Sequence, residues 1–189
     1  MNARVGYQLW SDRFDRELSD IFAVQDEVTR RIVDALKVKL SPREAAGLDA
    51  GETTNSKAHD FFLLGREVLF GTTRNREMFE RSTDLFTKAI AEDPSYGEPH
   101  AGLAMAETLN WQNHWTDDWS QSLERAERYL DLALQKSPQV AFVHYVASVF
   151  YLWSKDLDRS ATEADAALNL NPSYAQAHNS RGIVNIYGG

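Results

Sequence analysis

The residues best suited to chemistry are three histidines, His100, His144 and His178, which occupy equivalent positions after Pro94, Pro138 and Pro172. Imidazoles in register on successive helices invite a metal reading. Equivalent positions on stacked helices lie about 8–10 Å apart, whereas Zn–N bonds span about 2.0–2.1 Å, so one ion cannot be shared among them. They read as packing residues. Asp117 and Asp118 could act as a carboxylate pair, but beside Thr116 they are explained by capping of a helix N-terminus. The chain carries no HExxH, GxSxG, P-loop or dinucleotide-binding pattern. No catalytic residue, metal site or cofactor is therefore assigned, and this chain is read as not itself an enzyme.

The elements that position these residues follow from small residues and prolines. In residues 141–174, Ser148, Ser160 and Ala167 are small, Tyr151 is aromatic, and Pro172 follows Leu168-Asn169-Leu170-Asn171. Such spacing lets two antiparallel helices approach closely and then stops the second. Setting Pro94, Pro138 and Pro172 in register places Ala89, Ala133 and Ala167 five residues before each proline, and the last two prolines are 34 residues apart. In these residues the chain resembles the tetratricopeptide repeat (TPR) family, whose repeats have that length. The resemblance implies an all-α array of helical hairpins with repeats at 57–96, 97–140 and 141–174 and a partial one at 175–189. The first repeat carries five extra residues in GTTRNREMFE, and the second has an inter-helix segment ten residues longer than the family's. Glu107 and Arg181 stand where the family prefers apolar residues. Trp111, Trp115 and Trp119 recur every four residues around the long turn; they would form a sticky aromatic face or, more simply, pack the helix ends together.

Upstream, Val5, Tyr7 and Leu9 alternate as in a short strand, and Ile21, Val24, Val28, Ile32, Ala35 and Leu36 recur at helical spacing. Ser41, Pro42 and Glu44 fit a capping box at a second, short helix. Residues 47–56, GLDAGETTNS, read as a linker. The segments LW, RFDRELSDIF and VQDEV resemble the closing strand and helix of the TolB amino-terminal-like α/β domain. That domain precedes TPR arrays in bacterial proteins described as adenylate or guanylate cyclases, and in some winged-helix regulators. Residues 1–46 are thus expected to be the strand-helix remnant of such a domain, and the chain a fragment of a longer protein. Its unpaired strand is expected to be disordered or to be exchanged between two chains in a homodimer.

Composition limits the partners. The net charge is −8 and 43% of the 189 residues are apolar, so a packed core is available and no concentrated basic face is offered to nucleic acid or anionic lipid. There is no cysteine, which excludes disulfides. The longest apolar run, Tyr145 to Trp153, is too short to span a bilayer, and the N-terminus lacks a signal-peptide pattern; a cytoplasmic location is expected.

By the resemblance, the first helices line a concave groove. Its facing positions carry His59, Phe62, Arg66 and Phe70, then Glu98, Ala101 and Met105, then Phe142, Tyr145, Val149 and Trp153, and finally Gln176, Asn179 and Ile183. So apolar a lining suits a protein or peptide segment, including another part of the same polypeptide. The resemblance implies an interaction or scaffolding module in the regulatory part of a cyclase-type signalling protein. The alternatives are a cyclase whose catalytic domain lies elsewhere and a winged-helix transcriptional regulator.

Overall fold

The computed structural model describes residues 53–188, which lie within the compact unit Pro42–Gly189. The expected strand-helix remnant at 1–46 and most of the expected linker lie outside the described residues. What is described is all-helical, with seven α-helices and no strand. These are α1 (Ser56–Phe70), α2 (Arg76–Glu92), α3 (Glu98–Asn113), α4 (Ser122–Lys136), α5 (Ala141–Trp153), α6 (Leu157–Leu170) and α7 (Ala175–Gly188), with a short 3₁₀ turn at Trp119–Gln121.

Local chemistry sets the boundaries. The Asn55 side chain accepts from the backbone N–H of Lys57 and Ala58 at the start of α1, and its amide donates to the Glu92 carbonyl at the end of α2. Asn75 caps α2 and Asp156 caps α6 in the same way. The second helix of each hairpin ends identically: the N–H groups of Asp93, Ser137 and Asn171 donate to the carbonyls of Ala89, Ala133 and Ala167. In two of the turns that follow, the Asp93 and Asn171 side chains accept from the N–H and hydroxyl of Ser95 and Ser173. The first helices of the second and third hairpins are followed by a left-handed residue, His114 (φ 55°) and Lys155 (φ 64°).

Helices α1 and α2, α3 and α4, and α5 and α6 pack as hairpins; α2, α4 and α6 also pack on the first helix that follows, and the first helices pack on one another in the order α1, α3, α5, α7. Ala89, Ala133 and Ala167 are each fully buried, as their expected role in close approach requires. The middle first helix, α3, is enclosed most: twelve of its residues are buried, including Ala101, Gly102, Ala104, Met105 and Ala106. A helix covered on every side needs small or apolar residues all round rather than along one stripe. Phe86 of α2, with no exposure, fits between α1 and α3 because glycine stands opposite it on both. A methyl group at Gly65 would lie 2.7 Å from its ring, and one at Gly102 2.6 Å.

The lengthened turn of the second hairpin is held by a polar network. Buried Asn110 donates to the hydroxyls of Thr116 and Ser122 (2.8 Å each), and Thr116 donates to Asp118 (2.7 Å). Arg125 reaches Glu107 through two N–H groups (2.8 and 3.0 Å) and Asp118 through a third (2.9 Å). Glu107, expected to disturb an apolar position, is instead matched by the two-pronged guanidinium. Arg181 is likewise engaged, with Asp165 at 2.8 Å and with Asn185. Trp115 packs on Phe79 (centroids 6.5 Å) and Trp119 stacks on His114 (3.8 Å), so both serve the helix ends.

Candidate functional site

The register histidines are occupied by the backbone. His144 and His178 each place Nε2 2.9 Å from the carbonyl oxygen of Pro138 and Pro172. His100 Nδ1 lies 3.2 Å from the Tyr96 carbonyl instead, and the Pro94 carbonyl accepts from Lys136 (2.8 Å). The second nitrogen of His144 lies 2.6 Å from the Glu163 carboxylate. Burial alone would lower the His144 pKa, but Glu163 and the Pro138 carbonyl outweigh it and raise it. In His100 burial prevails and the pKa falls. No cluster of three or more potential metal ligands occurs among the described residues.

The expected groove residues separate into a floor, a site and outlying positions. Phe62 and Phe142 are buried, at 1% and 5% exposure, with ring centroids 5.9 Å apart. They therefore lie beneath the surface and cannot themselves be a contact face. Small residues on α3 let α1 and α5 meet there: Ala101, also expected on the groove, is fully buried, and Met105 and Glu98, expected there too, keep only 2% and 8% exposure. The Arg66 guanidinium rests above this floor, 4.8 Å from the Phe142 centroid and 5.5 Å from that of Phe62, within the range of cation–π attraction.

Beside Arg66 opens a depression of about 250 Å³ lined by Leu63, Arg66, Glu67 and Phe70 of α1, Tyr145 of α5, Tyr174 in the turn before α7, and Gln176. Tyr145 and Tyr174 meet edge to face, with centroids 5.5 Å apart. Burial raises the pKa of both hydroxyls, Tyr174 to about 12. Among the described residues, the Arg66 guanidinium and the two tyrosine hydroxyls have no hydrogen-bonding or ion-pair partner. No buried polar side-chain atom lacks a partner there either, so these three groups are open to solvent.

The other expected positions lie outside this depression. Half-buried His59 sits 3.5 Å from the Tyr96 hydroxyl. Val149 packs against the core, Trp153 is exposed at the end of α5, Asn179 is exposed, and Ile183 is half-buried on α7. Tyr174 was not expected at the site. Its signal is the matching pair Pro94-Ser95-Tyr96 and Pro172-Ser173-Tyr174: Tyr96 packs edge to face on Phe62 (5.3 Å) as Tyr174 does on Tyr145.

No helix among the described residues is long and apolar enough to cross a membrane. No protein-family model matches the chain. The chain is similar to a protein of Rhizobium meliloti (strain 1021) named "Putative adenylate cyclase 3", with 32% identity over an alignment of 135 residues that covers 69% of this chain. The chain spans 23% of the length of that curated relative.

Proposed function

We propose that residues 57–189 form an array of the TPR type that holds a protein or peptide segment, and that it belongs to the regulatory part of a cyclase-type signalling protein, preceded at 1–46 by the end of an α/β domain. The packing of first helices on one another, the first three each backed by its own second helix, supports the array. One observation carries the binding role: α1, α5 and the turn before α7 present an arginine, two tyrosines and Phe70 together at a solvent-open depression. Aromatic and arginine side chains are the usual anchors of such contacts. The cyclase link rests on the named relative, of which this chain matches a minor part.

Changing Tyr145 and Tyr174 together to serine tests the depression. The wild-type chain, used to select from a displayed library of random peptides, should enrich binders, and the double variant should lose them with unchanged far-UV circular dichroism. Full binding by the variant would remove the depression from consideration. In the same preparation, conversion of ATP to cyclic AMP is expected to be absent. Turnover would favour the second reading, a catalytic role for this region itself, which the relative's name motivates.

A further inference from the structure

We infer that the depression beside Arg66 takes the carboxylate of an acidic side chain, carried next to an apolar residue on a partner peptide. The inference rests on the binding role proposed above and names the chemistry of its anchor.

Three observations lead to it. First, the site offers uncommitted donors: a guanidinium with five N–H groups and two phenolic hydroxyls, none of them partnered among the described residues and all accessible to solvent, beside the Glu67 and Gln176 side chains that complete the lining. Second, Arg66 is preorganised. Its guanidinium lies against the Phe62 and Phe142 rings, so less side-chain freedom remains to be lost on binding than for an arginine extended into water. Third, the lining is mixed: α1 supplies the exposed apolar side chains Leu63 and Phe70 together with Arg66 and Glu67, and Tyr145, Tyr174 and Gln176 complete it. An acidic residue with an apolar neighbour matches Arg66 and the apolar pair.

Fork geometry and size favour a carboxylate. Arg66 acts on Tyr174 in the direction expected of a nearby cation, and Arg74 acts on Tyr145 likewise. Glu67 also lines the depression and Glu98 lies near Tyr174, within a chain of net charge −8. Two cations and two carboxylates thus surround the depression, and a second charge on the ligand would strengthen attraction and repulsion alike. A planar carboxylate can accept two parallel N–H bonds from one guanidinium fork, and the volume of about 250 Å³ suits a side chain rather than a nucleotide.

Peptides selected by the full wild-type chain from a displayed library provide the probe. They should be enriched in Glu or Asp beside an apolar residue. Synthetic versions with amidated C-termini should weaken on the order of tenfold when that acid becomes Gln or Asn. Against a chain carrying Arg66→Gln, acid and amide peptides should bind alike, while Arg66→Lys should restore part of the difference. Selected peptides lacking acidic residues, or indifferent to the Glu→Gln change, would overturn the inference and leave the binding role standing. Loss of binding on amidation of the C-terminus alone would assign the pocket to a chain end and overturn the side-chain assignment. A chain that enriches no peptide would overturn the inference together with the binding role.

Discussion

A methyl group on Gly102 would stand 2.6 Å from the ring of Phe86, closer than carbon atoms approach without displacement. The ring cannot retreat, since Gly65 lies against it on the other side and Phe86 has no exposure. Gly102→Ala should therefore lower stability by about 1–3 kcal/mol through overpacking, even though alanine is the better helix former by about 1 kcal/mol. A denaturant midpoint that stays constant or rises would show that the ring has room to move.

The Glu107–Arg125 pair makes a second test. The Glu107 side chain keeps 9% of its exposure and that of Arg125 21%, so Arg125→Met would strand a nearly buried carboxylate at a cost of about 3 kcal/mol, the low end for a buried pair. Replacing Glu107 by Leu in the same chain should recover much of that loss. If the two single changes simply add, measured by urea unfolding, the pair is not coupled.

His144 has an acceptor at each ring nitrogen, an arrangement only the imidazolium satisfies fully. Its pKa is raised on folding, so its contribution to stability is complete below the unfolded value of about 6.5 and fades as pH rises through the higher folded value. His100, lowered by burial, acts in the opposite sense, but its contribution is complete above about 6.5 and lost on acidification. Between neutral and mildly alkaline pH the chain should thus lose stability, and Glu163→Gln should flatten that slope. A melting temperature that rises over this interval in the wild-type chain would contradict the assignment.

Lys155 adopts φ 64° at an exposed position after α5. A side chain costs about 1–2 kcal/mol in the left-handed region, and glycine is the common residue there. Lys155→Gly should raise the thermal midpoint, the gain reduced by the greater freedom of glycine in the unfolded chain. A fall would mean that the Lys155 side chain contributes more than its strain takes away.

The helical hairpins were legible because their signals are local: a proline, an alanine five residues earlier, and apolar side chains at helical spacing. Helix α3 was harder to read in detail. Its burial on all sides comes from neighbours distant in sequence, so its small residues look like a groove lining when only the repeat register is known. The register places Phe62 and Phe142 on the groove for the same reason. A register gives the face on which a residue stands, not the depth to which α1 and α5 close over it. The ion pairs of Glu107 and Arg181 depend on Arg125 and Asp165 of adjacent helices, which the family pattern does not encode. Tyr174 stands in a turn, outside the helical register that points to the groove, and its signal is the small pattern that the turn repeats.

The enclosure of α3 between its neighbours also bears on how the chain opens. Twelve of its residues are buried, whereas α7 leaves Ile186 and Tyr187 78% and 72% exposed. In a structure built from successive neighbours, fraying proceeds from where contacts are fewest. Amide protons of α7 should therefore exchange with deuterium early, through local opening, and those around Ala101–Thr108 last, only when the middle of the array comes apart. The depression at Arg66 joins α1 and α5 to the beginning of α7, where Tyr174 and Gln176 stand. A segment that bridges α1 and Tyr174 would slow exchange in α7 without touching most of it, so the occupied state would be recorded as a change in solvent exchange at a distance.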